Sequence, residues 1–279
     1  MKSINLRFVS TAFIAVLSVF TLSCESEDND DNGGVSGKRF KQINSEEWNS
    51  KDEKISSSTI QFTYDANSRI VKMEDVSLSY DKKDSRSCVT TYQYEDNRII
   101  GNSVEERIYN GNTYTYVDTE VFTLEDGLIT SITDNNGKKK FILYDNDGYL
   151  KTIKFANNYH DSINYIWSDG NLMKIEDITS YNTYAYKFSY SVIPLIKGFI
   201  TSTWGGPDAA LWNAGYFGKR PNYLFAKREV FRNNKKEDTL DEIEYFLTDG
   251  LVTKVIEKRS DKDYHNGDTI TSISTIAWE

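Results

Sequence analysis

Few residues of this chain have the types and spacing that catalysis needs. The two histidines, His160 and His265, each stand in a polar segment typical of a surface turn. Paired carboxylates such as Glu105-Glu106 are typical of solvated faces, and strand spacing does not bring two of them together for acid–base work. Cys88, in the stretch SRSCVTT, has the character of a small strand residue rather than a nucleophile. We therefore predict a non-enzymatic protein, with no catalytic residues, no cofactor and no metal site.

The strongest candidate binding residues are aromatic. They belong to an insertion near residues 192–223, which contains all three prolines of the chain and is rich in glycine. Flat rings beside short polar side chains can stack on sugar rings and hydrogen-bond to their hydroxyl groups. The alternative is that these rings simply fill the interior, because a wide β-barrel needs large apolar side chains. The candidate ligand-binding residues are Trp204, Asp208, Trp212, Asn213, Tyr216 and Phe217.

Cys24 is a candidate for lipid attachment. It follows a basic start and an apolar run from Phe8 to Leu22, which together have the form of a cleavable signal peptide. The tetrapeptide Thr21-Leu22-Ser23-Cys24 resembles the bacterial lipobox, which predicts a signal peptide over residues 1–23 and acylation of Cys24. Two or three acyl chains would hold the mature protein durably on a membrane. The alternative is an ordinary secretory signal in which Cys24 occurs by chance.

An acidic spacer follows the cysteine. Residues 24–37 include ESEDNDDNGG, whose charge and lack of apolar side chains are typical of a disordered lipoprotein tether. An acidic stretch in this place also resembles the surface-export signal of Bacteroidetes lipoproteins, which implies the outer membrane and display on the cell surface, with the periplasmic face as the alternative. The formal net charge of −9 argues against nucleic acid as a partner. The expected partners are the membrane, through the lipid anchor, and a glycan or a protein, and we expect a monomer.

The remainder, residues 38–279, repeats one pattern. An alternating apolar run ends in a tyrosine or a similar residue, an acidic turn follows, and Leu or Ile opens the next run, as in ILYDNDGYLKTI (142–153) and YIWSDGNLMKI (165–175). Alternation with a period of two predicts strands. Asp-Gly and Asn-Gly steps predict tight hairpin turns, because both central residues need a positive φ. These steps begin at Asn110, Asp126, Asn136, Asp147, Asp169, Asp249 and Asn266.

The pattern predicts a single all-β domain. Phe40 to Trp278 accommodates roughly sixteen strands of typical length, and an open sheet of that width would expose its edges. We therefore expect an antiparallel up-and-down meander rolled into a large closed or nearly closed barrel. Pro207 to Gly215 breaks the pattern and predicts one short helix that covers a barrel mouth or fills the interior. Short strands and lysines within strands favour a soluble domain over a membrane-spanning barrel.

The hairpins and one further segment support a family resemblance. Tyr216–Leu224 (YFGKRPNYL), together with the tyrosine–acidic turn–Leu/Ile hairpins, resembles a family of secreted Bacteroidetes lipoproteins of unknown function with a porin-like β fold. The likeness covers nearly all of residues 38–279, and it implies that fold without implying an activity. We thus expect a cell-envelope lipoprotein that binds a glycan or another nutrient at the surface. The alternative is a structural or adhesion protein that binds another envelope protein.

Overall fold

The computed structural model describes residues 38–79, 84–156, 160–195, 208–260 and 269–279. The predicted signal peptide and tether, with Cys24, and also Trp204 and His265 lie outside these residues. In the part described, no helix has the length and apolarity needed to cross a membrane. The helix α1 is Ala209–Asn213, and the strands are β1 (Phe40–Trp48), β2 (Lys54–Tyr64), β3 (Ile70–Ser79), β4 (Ser85–Glu95), β5 (Arg98–Tyr109), β6 (Asn112–Glu125), β7 (Leu128–Asp134), β8 (Lys139–Tyr144), β9 (Leu150–Phe155), β10 (His160–Ser168), β11 (Asn171–Thr179), β12 (Thr183–Pro194), β13 (Tyr223–Arg232), β14 (Lys235–Thr248), β15 (Leu251–Ser260) and β16 (Thr269–Trp278).

The sixteen strands close into a barrel. Each strand pairs antiparallel with its neighbours in the chain, and β1 pairs with β16 from Phe40–Trp278 to Trp48–Thr271. The ladder continues past both strands, since Arg39 N and Glu279 O are 3.2 Å apart and Glu279 N and Arg39 O are 3.0 Å apart. Closure removes the unpaired edges that an open sheet would expose. The predicted fold class, an all-β closed antiparallel meander with one short helix, is confirmed.

The turns are divided between the two ends of the barrel. Successive strands run in opposite directions, so turns after even-numbered strands share one end and turns after odd-numbered strands share the other. All four Asp-Gly steps lie at the first end, together with α1, residue 38 and residue 279. We call it the plug end and the opposite one the far end. Asn110-Gly111 and Asn136-Gly137 lie at the far end, and Asn266-Gly267 lies outside the described residues, so the described Asp-Gly and Asn-Gly steps occupy opposite ends of the barrel.

Most tight turns have the backbone that their residues predict. At Asp126-Gly127 the φ angles are +51° and +80°, which is the pair of positive values that a type I′ turn requires. Asp147-Gly148 differs, because it belongs to a longer turn in which the Asp145 carboxylate accepts hydrogen bonds from the backbone N–H groups of Asp147 and Tyr149, at 3.0 and 2.9 Å. Asn136-Gly137 differs in the same way, because the Asp134 carboxylate accepts from the backbone N–H groups of Asn136 and Lys138. The prediction of a two-residue turn is therefore wrong at both steps. In each, a preceding aspartate that accepts Asx-type hydrogen bonds stabilises a wider loop.

The apolar core lies inside the barrel toward the plug end. Its large buried side chains include Phe40, Ile99, Phe122, Leu150 and Val252, each from a different strand. Strict alternation fails on β11, where Leu172 and Ile175 are both buried although an odd number of positions separates them. The pairing passes from Ile166–Lys174 to Trp167–Leu172, so Met173 is an extra residue. Such a β-bulge shifts the alternation by one residue.

Candidate functional site

The plug segment, residues 208–222, occupies the plug end of the barrel. Its helix α1 begins after Asp208, whose Oδ1 accepts a hydrogen bond from Leu211 N at 2.9 Å. Asp208 is thus an N-cap, which satisfies a helix donor that would otherwise be unpaired. Ala214 ends the helix, and Gly215 follows at φ +88°, as expected for a residue just past a helix end. The sequence predicted this short helix, and the structure adds the capping role of Asp208.

Asp208 also joins the plug segment to the barrel wall. Its Oδ2 accepts a hydrogen bond from Tyr92 Oη of β4 at 2.7 Å. The residue as a whole keeps part of its surface, but its carboxyl group is buried. That burial raises the pKa of the carboxyl above its usual range, although the hydrogen bonds from Leu211 and Tyr92 oppose the shift. The contacts observed for Asp208 therefore hold the helix in place.

The aromatic side chains of the plug segment lie in the core. Trp212 is 4% exposed and Phe217 is 0% exposed. The Trp212 ring centroid is 6.3 Å from that of Trp167, 5.8 Å from that of Tyr165 and 6.4 Å from that of Phe217. These rings form a floor across the barrel interior, which is the space-filling arrangement weighed as the alternative to stacking on a ligand.

The two remaining candidates also have protein contacts. The amide of Asn213 donates to Ala209 O at 2.6 Å, and Tyr216 O accepts from Ile129 N at 2.9 Å. The structure thus brings Asp208, Trp212, Asn213, Tyr216 and Phe217 together in one segment, while Trp204 lies outside the described residues. A direct role of these side chains in ligand binding stays a prediction.

Backbone contacts attach the plug segment to the hairpin turns around it. Lys219 N donates to Gly148 O at 3.0 Å, and Asn222 N donates to Gly170 O at 3.1 Å. Gly218, at φ +84°, lies so close that a Cβ atom would be 2.4 Å from Gly148 O. Glycine is needed there because any side chain would collide with the β8–β9 turn. These contacts fix the floor to the turns of the plug end.

The inward side chains change from apolar to polar above this floor. Along β4 the inward positions from the plug end to the far end are Tyr92, Thr90, Cys88 and Arg86. Thr90 is buried and its Oγ1 lies 2.9 Å from Ser103 Oγ of β5, whereas Cys88 and Arg86 are half-buried. The Arg86 guanidinium is paired with Asp75 of β3 and Glu105 of β5. The lumen, meaning the barrel interior above the plug segment, is therefore polar on this wall.

Exposure of the inward side chains increases toward the far end. On β5 and β6, the side chain of Arg107 is 56% exposed and Tyr116 is 54% exposed, with the guanidinium carbon 5.4 Å from the ring centroid. Both residues point inward, because their positions alternate with those of the core residues Ile99 and Phe122. Solvent reaches these side chains, in contrast to the floor below.

The wall that contains the closing strands is polar as well. Glu47 of β1 accepts a hydrogen bond from Ser56 of β2 at 2.6 Å and is paired with Arg259 of β15, also at 2.6 Å. Ser45 Oγ and Ser274 Oγ are 2.7 Å apart across the β1–β16 pair. The lumen thus offers hydroxyl groups, carboxylates and guanidinium groups from several strands.

Sequence reasoning missed these lumen residues for a physical reason. Alternation shows which side chains share a face, but in the far half of the barrel the inward face is polar and the outer face is mixed, so hydrophobicity does not mark the inward face. Glu105 and Glu106 are adjacent and alike, yet Glu105 points inward toward Arg86 while Glu106 points outward. Among the described residues, no three His, Cys, Asp or Glu side chains are grouped so that they could hold a metal ion.

These features define a closed sixteen-stranded antiparallel barrel with a helical floor and a polar lumen. The chain is similar in fold to a porin-like protein from Bacteroides uniformis, with a TM-score of 0.61 and 17% identity over 85% of this chain and 98% of that one. A porin-like protein from Bacteroides vulgatus gives a TM-score of 0.47 and 11% identity over 87% of this chain and 99% of that one. No protein-family model matches the chain, and no curated protein has a significantly similar sequence. The similarity to the Bacteroides uniformis protein establishes the porin-like fold that the sequence resemblance implied.

Proposed function

We propose that this protein is a cell-envelope lipoprotein that binds a glycan or another nutrient molecule in the lumen of its barrel, without catalysis. The observation that supports this is the contrast between the two halves of the interior. The plug segment fills one end, while the inward side chains above it are polar and increasingly exposed. Concave sites with a few convergent polar groups and aromatic rings are typical of small-molecule binding.

The lumen has the chemistry that a polyhydroxylated ligand needs. Sugar hydroxyl groups both donate and accept hydrogen bonds, so they suit a wall that mixes carboxylates with guanidinium and hydroxyl groups. Arg86, Glu105, Arg107 and Glu47 provide such groups, and Tyr116 adds an exposed ring on which a sugar can stack. In this proposal the plug aromatics form the bottom of the site.

A variant of the plug does not test this proposal cleanly. Trp212→Ala would remove a buried ring that contacts Trp167, Tyr165 and Phe217. Such a truncation costs about 3–5 kcal/mol of stability, so a loss of binding could follow from a loss of folding. The test therefore has to modify a residue that faces the lumen.

Cys88 provides a lumen probe that the protein already contains. Its thiol faces the interior between Asp75 and Glu105, above the buried Thr90. The full-length protein, purified in detergent, is applied to an array of neutral and acidic oligosaccharides before and after reaction with a bulky maleimide. We expect modification of Cys88 to abolish binding, and bound oligosaccharide to slow the modification.

The matched control is Cys88→Ser, which should bind as the wild type does and be indifferent to the reagent. Unchanged binding after complete modification of Cys88 would place the ligand outside the lumen. Failure of the unmodified protein to bind any oligosaccharide would remove the glycan proposal itself.

We also propose that acylated Cys24 anchors the protein at the outer membrane, on the cell surface. The lipobox-like tetrapeptide and the acidic spacer support this proposal. Residue 38 joins the barrel at the plug end. The described part of the chain thus begins at the filled end of the barrel, and the exposed inward side chains lie at the other end.

A structural or adhesion protein is the second candidate function. It is favoured by apolar side chains on the outer face of β3 to β6, where Val89, Val104 and Val117 lie side by side and Val76 and Leu78 are exposed nearby. Exposed apolar patches often mark protein interfaces. This candidate predicts that Val104→Lys weakens a cross-linked complex with an envelope protein, while modification of Cys88 leaves the complex intact.

A further inference from the structure

The buried hydroxyl of Tyr165 has no hydrogen-bond partner among the described residues. Tyr165 lies on β10, points inward and is 4% exposed. Other inward tyrosines of the barrel are satisfied, since Tyr92 donates to Asp208 at 2.7 Å, Tyr144 to Ile129 O at 2.7 Å and Tyr190 to Leu172 O at 2.6 Å. Leaving a buried donor without an acceptor is destabilising. Such a group in a native protein therefore suggests a ligand or a water molecule.

Polar and aromatic residues of the adjoining strands share the inward face with Tyr165. Tyr165, Ile175 and Tyr186 form one inward row across β10, β11 and β12. Asp177 is the next inward residue of β11 toward the far end, opposite Ile163 on one side and Tyr184 on the other. Tyr165 and Asp177 are therefore diagonal neighbours on one face of the β10–β11 pair, and burial and the charge of Asp177 both raise the pKa of the Tyr165 phenol.

Tyr186 and Arg228 extend the same wall. The guanidinium carbon of Arg228, on β13, is 5.9 Å from the ring centroid of Tyr186. Asp177, Tyr186 and Arg228 are half-buried, whereas Tyr165 is covered. The wall therefore combines an unused donor, a carboxylate acceptor, an aromatic ring and a guanidinium group.

The chemistry of the pair Tyr165 and Asp177 selects one kind of ligand group. A group that accepts from the phenol and donates to the carboxylate must be both an acceptor and a donor. An alcohol hydroxyl has both properties, whereas a carboxylate or phosphate has no proton to donate and an ammonium group has no lone pair to accept with. A sugar places several such hydroxyls around a ring whose apolar face can stack on an aromatic side chain.

We propose that Tyr165 and Asp177, with Tyr186 and Arg228, form a subsite in the lumen for a neutral saccharide, one hydroxyl of which accepts from Tyr165 and donates to Asp177. This inference rests on the proposed function, because it assumes that the ligand enters the lumen. It adds the chemical class of the ligand and the place in the lumen at which one end of the ligand binds. The Tyr165 hydroxyl is covered in the present arrangement, so entry of the ligand requires a neighbouring side chain to adopt another rotamer.

Tyr165→Phe tests the proposal because it removes one oxygen atom and keeps the ring. The probe is the neutral oligosaccharide that the wild-type protein binds best on the array, and dissociation constants are measured by calorimetry with full-length protein. We expect Tyr165→Phe to weaken binding roughly tenfold, as loss of one hydrogen bond does. Its melting temperature should equal or exceed that of the wild type, since the unused donor is gone.

Tyr92→Phe is the matched control. It also removes an inward phenol hydroxyl, but that hydroxyl already bonds to Asp208 below the lumen. We expect it to lower the melting temperature and to leave the dissociation constant unchanged. A uronic-acid analogue of the probe should bind at least tenfold more weakly than the neutral sugar, because a carboxylate cannot donate to Asp177.

The outcomes separate the subsite from the proposed function. Binding that is blocked at Cys88 but unchanged in Tyr165→Phe would overturn the subsite, leaving a buried water as the partner of Tyr165, while the lumen remained the binding site. Preference for the uronic acid would overturn the neutral ligand class. Absence of all oligosaccharide binding by the wild type would overturn both proposals.

Discussion

Asp208 is a carboxylate whose ionisation is linked to the stability of the plug segment. Burial raises its pKa in the folded protein above the value of 3.8 that is usual for this group. A raised pKa means that the folded state keeps the proton over a range in which the unfolded chain has released it. The stabilisation that protonated Asp208 contributes is fully present below pH 3.8, and it is lost as the pH rises through the pKa that Asp208 has in the folded state.

Asp208→Asn should remove this pH dependence. Asparagine is an equally good N-cap but does not ionise, so the hydrogen bond from Leu211 N can persist. We expect the unfolding free energy of the variant to increase relative to the wild type as the pH is raised from below 3.8 to neutrality. Urea denaturation of both proteins at several pH values measures this difference in unfolding free energy.

The control for Asp208→Asn is Asp208→Ala, which also lacks an ionisable group and should therefore be about 1 kcal/mol less stable than Asp208→Asn at all pH values, because it removes the cap. A difference between Asp208→Asn and the wild type that does not vary with pH would contradict the prediction.

The functional residues could be predicted only in part. The insertion and its residues Asp208, Trp212 and Phe217 stand out because glycine and proline interrupt the strand pattern there. Tyr165 and Tyr186 could be placed on shared faces, but no sequence signal marks that face as inward or shows that one phenol lacks a partner. That information depends on closure of the barrel, which brings together strands that are distant in the chain.

The hairpins of the plug end share one hydrogen-bonded device. In several of them the register jumps by one residue after the turn, leaving a β-bulge, and an aromatic side chain of the next strand donates to the carbonyl beside it. A bulge disrupts the local ladder, so the carbonyl gains from a side-chain donor. The pairs are Tyr94 Oη with Ile70 O (2.8 Å), Tyr144 Oη with Ile129 O (2.7 Å), Trp167 Nε1 with Leu150 O (2.8 Å), Tyr190 Oη with Leu172 O (2.6 Å) and Trp278 Nε1 with Val252 O (2.8 Å).

This device accounts for part of the repeated sequence pattern. In Tyr94, Tyr144 and Trp167 the aromatic residue that precedes an acidic turn is the donor, and the acceptor carbonyl belongs to a Leu or Ile at or near the start of the second strand of the preceding hairpin. Strands, turns and the short helix followed from alternation and turn residues. The bulges did not, because an extra residue such as Met173 looks like any other member of an alternating run.

Tyr144→Phe tests the device at one hairpin. It should lower the unfolding free energy by about 1–3 kcal/mol, because Ile129 O loses a buried donor. Tyr149→Phe is the control in the same hairpin, and it keeps the ring that packs 4.6 Å from Trp167, so we expect a change within about 0.5 kcal/mol. Guanidinium denaturation followed by tryptophan fluorescence compares them, and equal losses for both variants would contradict this role of Tyr144.

At the scale of the whole molecule, the proposed anchor is tested at Cys24. We expect the wild-type protein to incorporate a metabolically supplied alkyne analogue of palmitate in its native type of host, and Cys24→Ser to incorporate none. Cys88→Ser is the matched control and should be labelled fully, because Cys88 lies on β4 in the barrel and not at the tether. Equal labelling of wild type and Cys24→Ser would show that the anchor is elsewhere.

The meeting of Arg39 and Glu279 has a consequence for engineering. Their backbones are hydrogen-bonded in both directions and their side chains form an ion pair. The hydrogen-bonded ring of strands is therefore closed between two residues that are 240 positions apart in the chain. A short linker from Glu279 to Lys38 would allow the gene to be circularly permuted, with new termini opened at the far-end turn Asn233-Asn234. Every strand would keep its two neighbours. A fluorescent reporter fused to Glu279 of the natural arrangement would likewise sit beside the filled end and leave the lumen unobstructed.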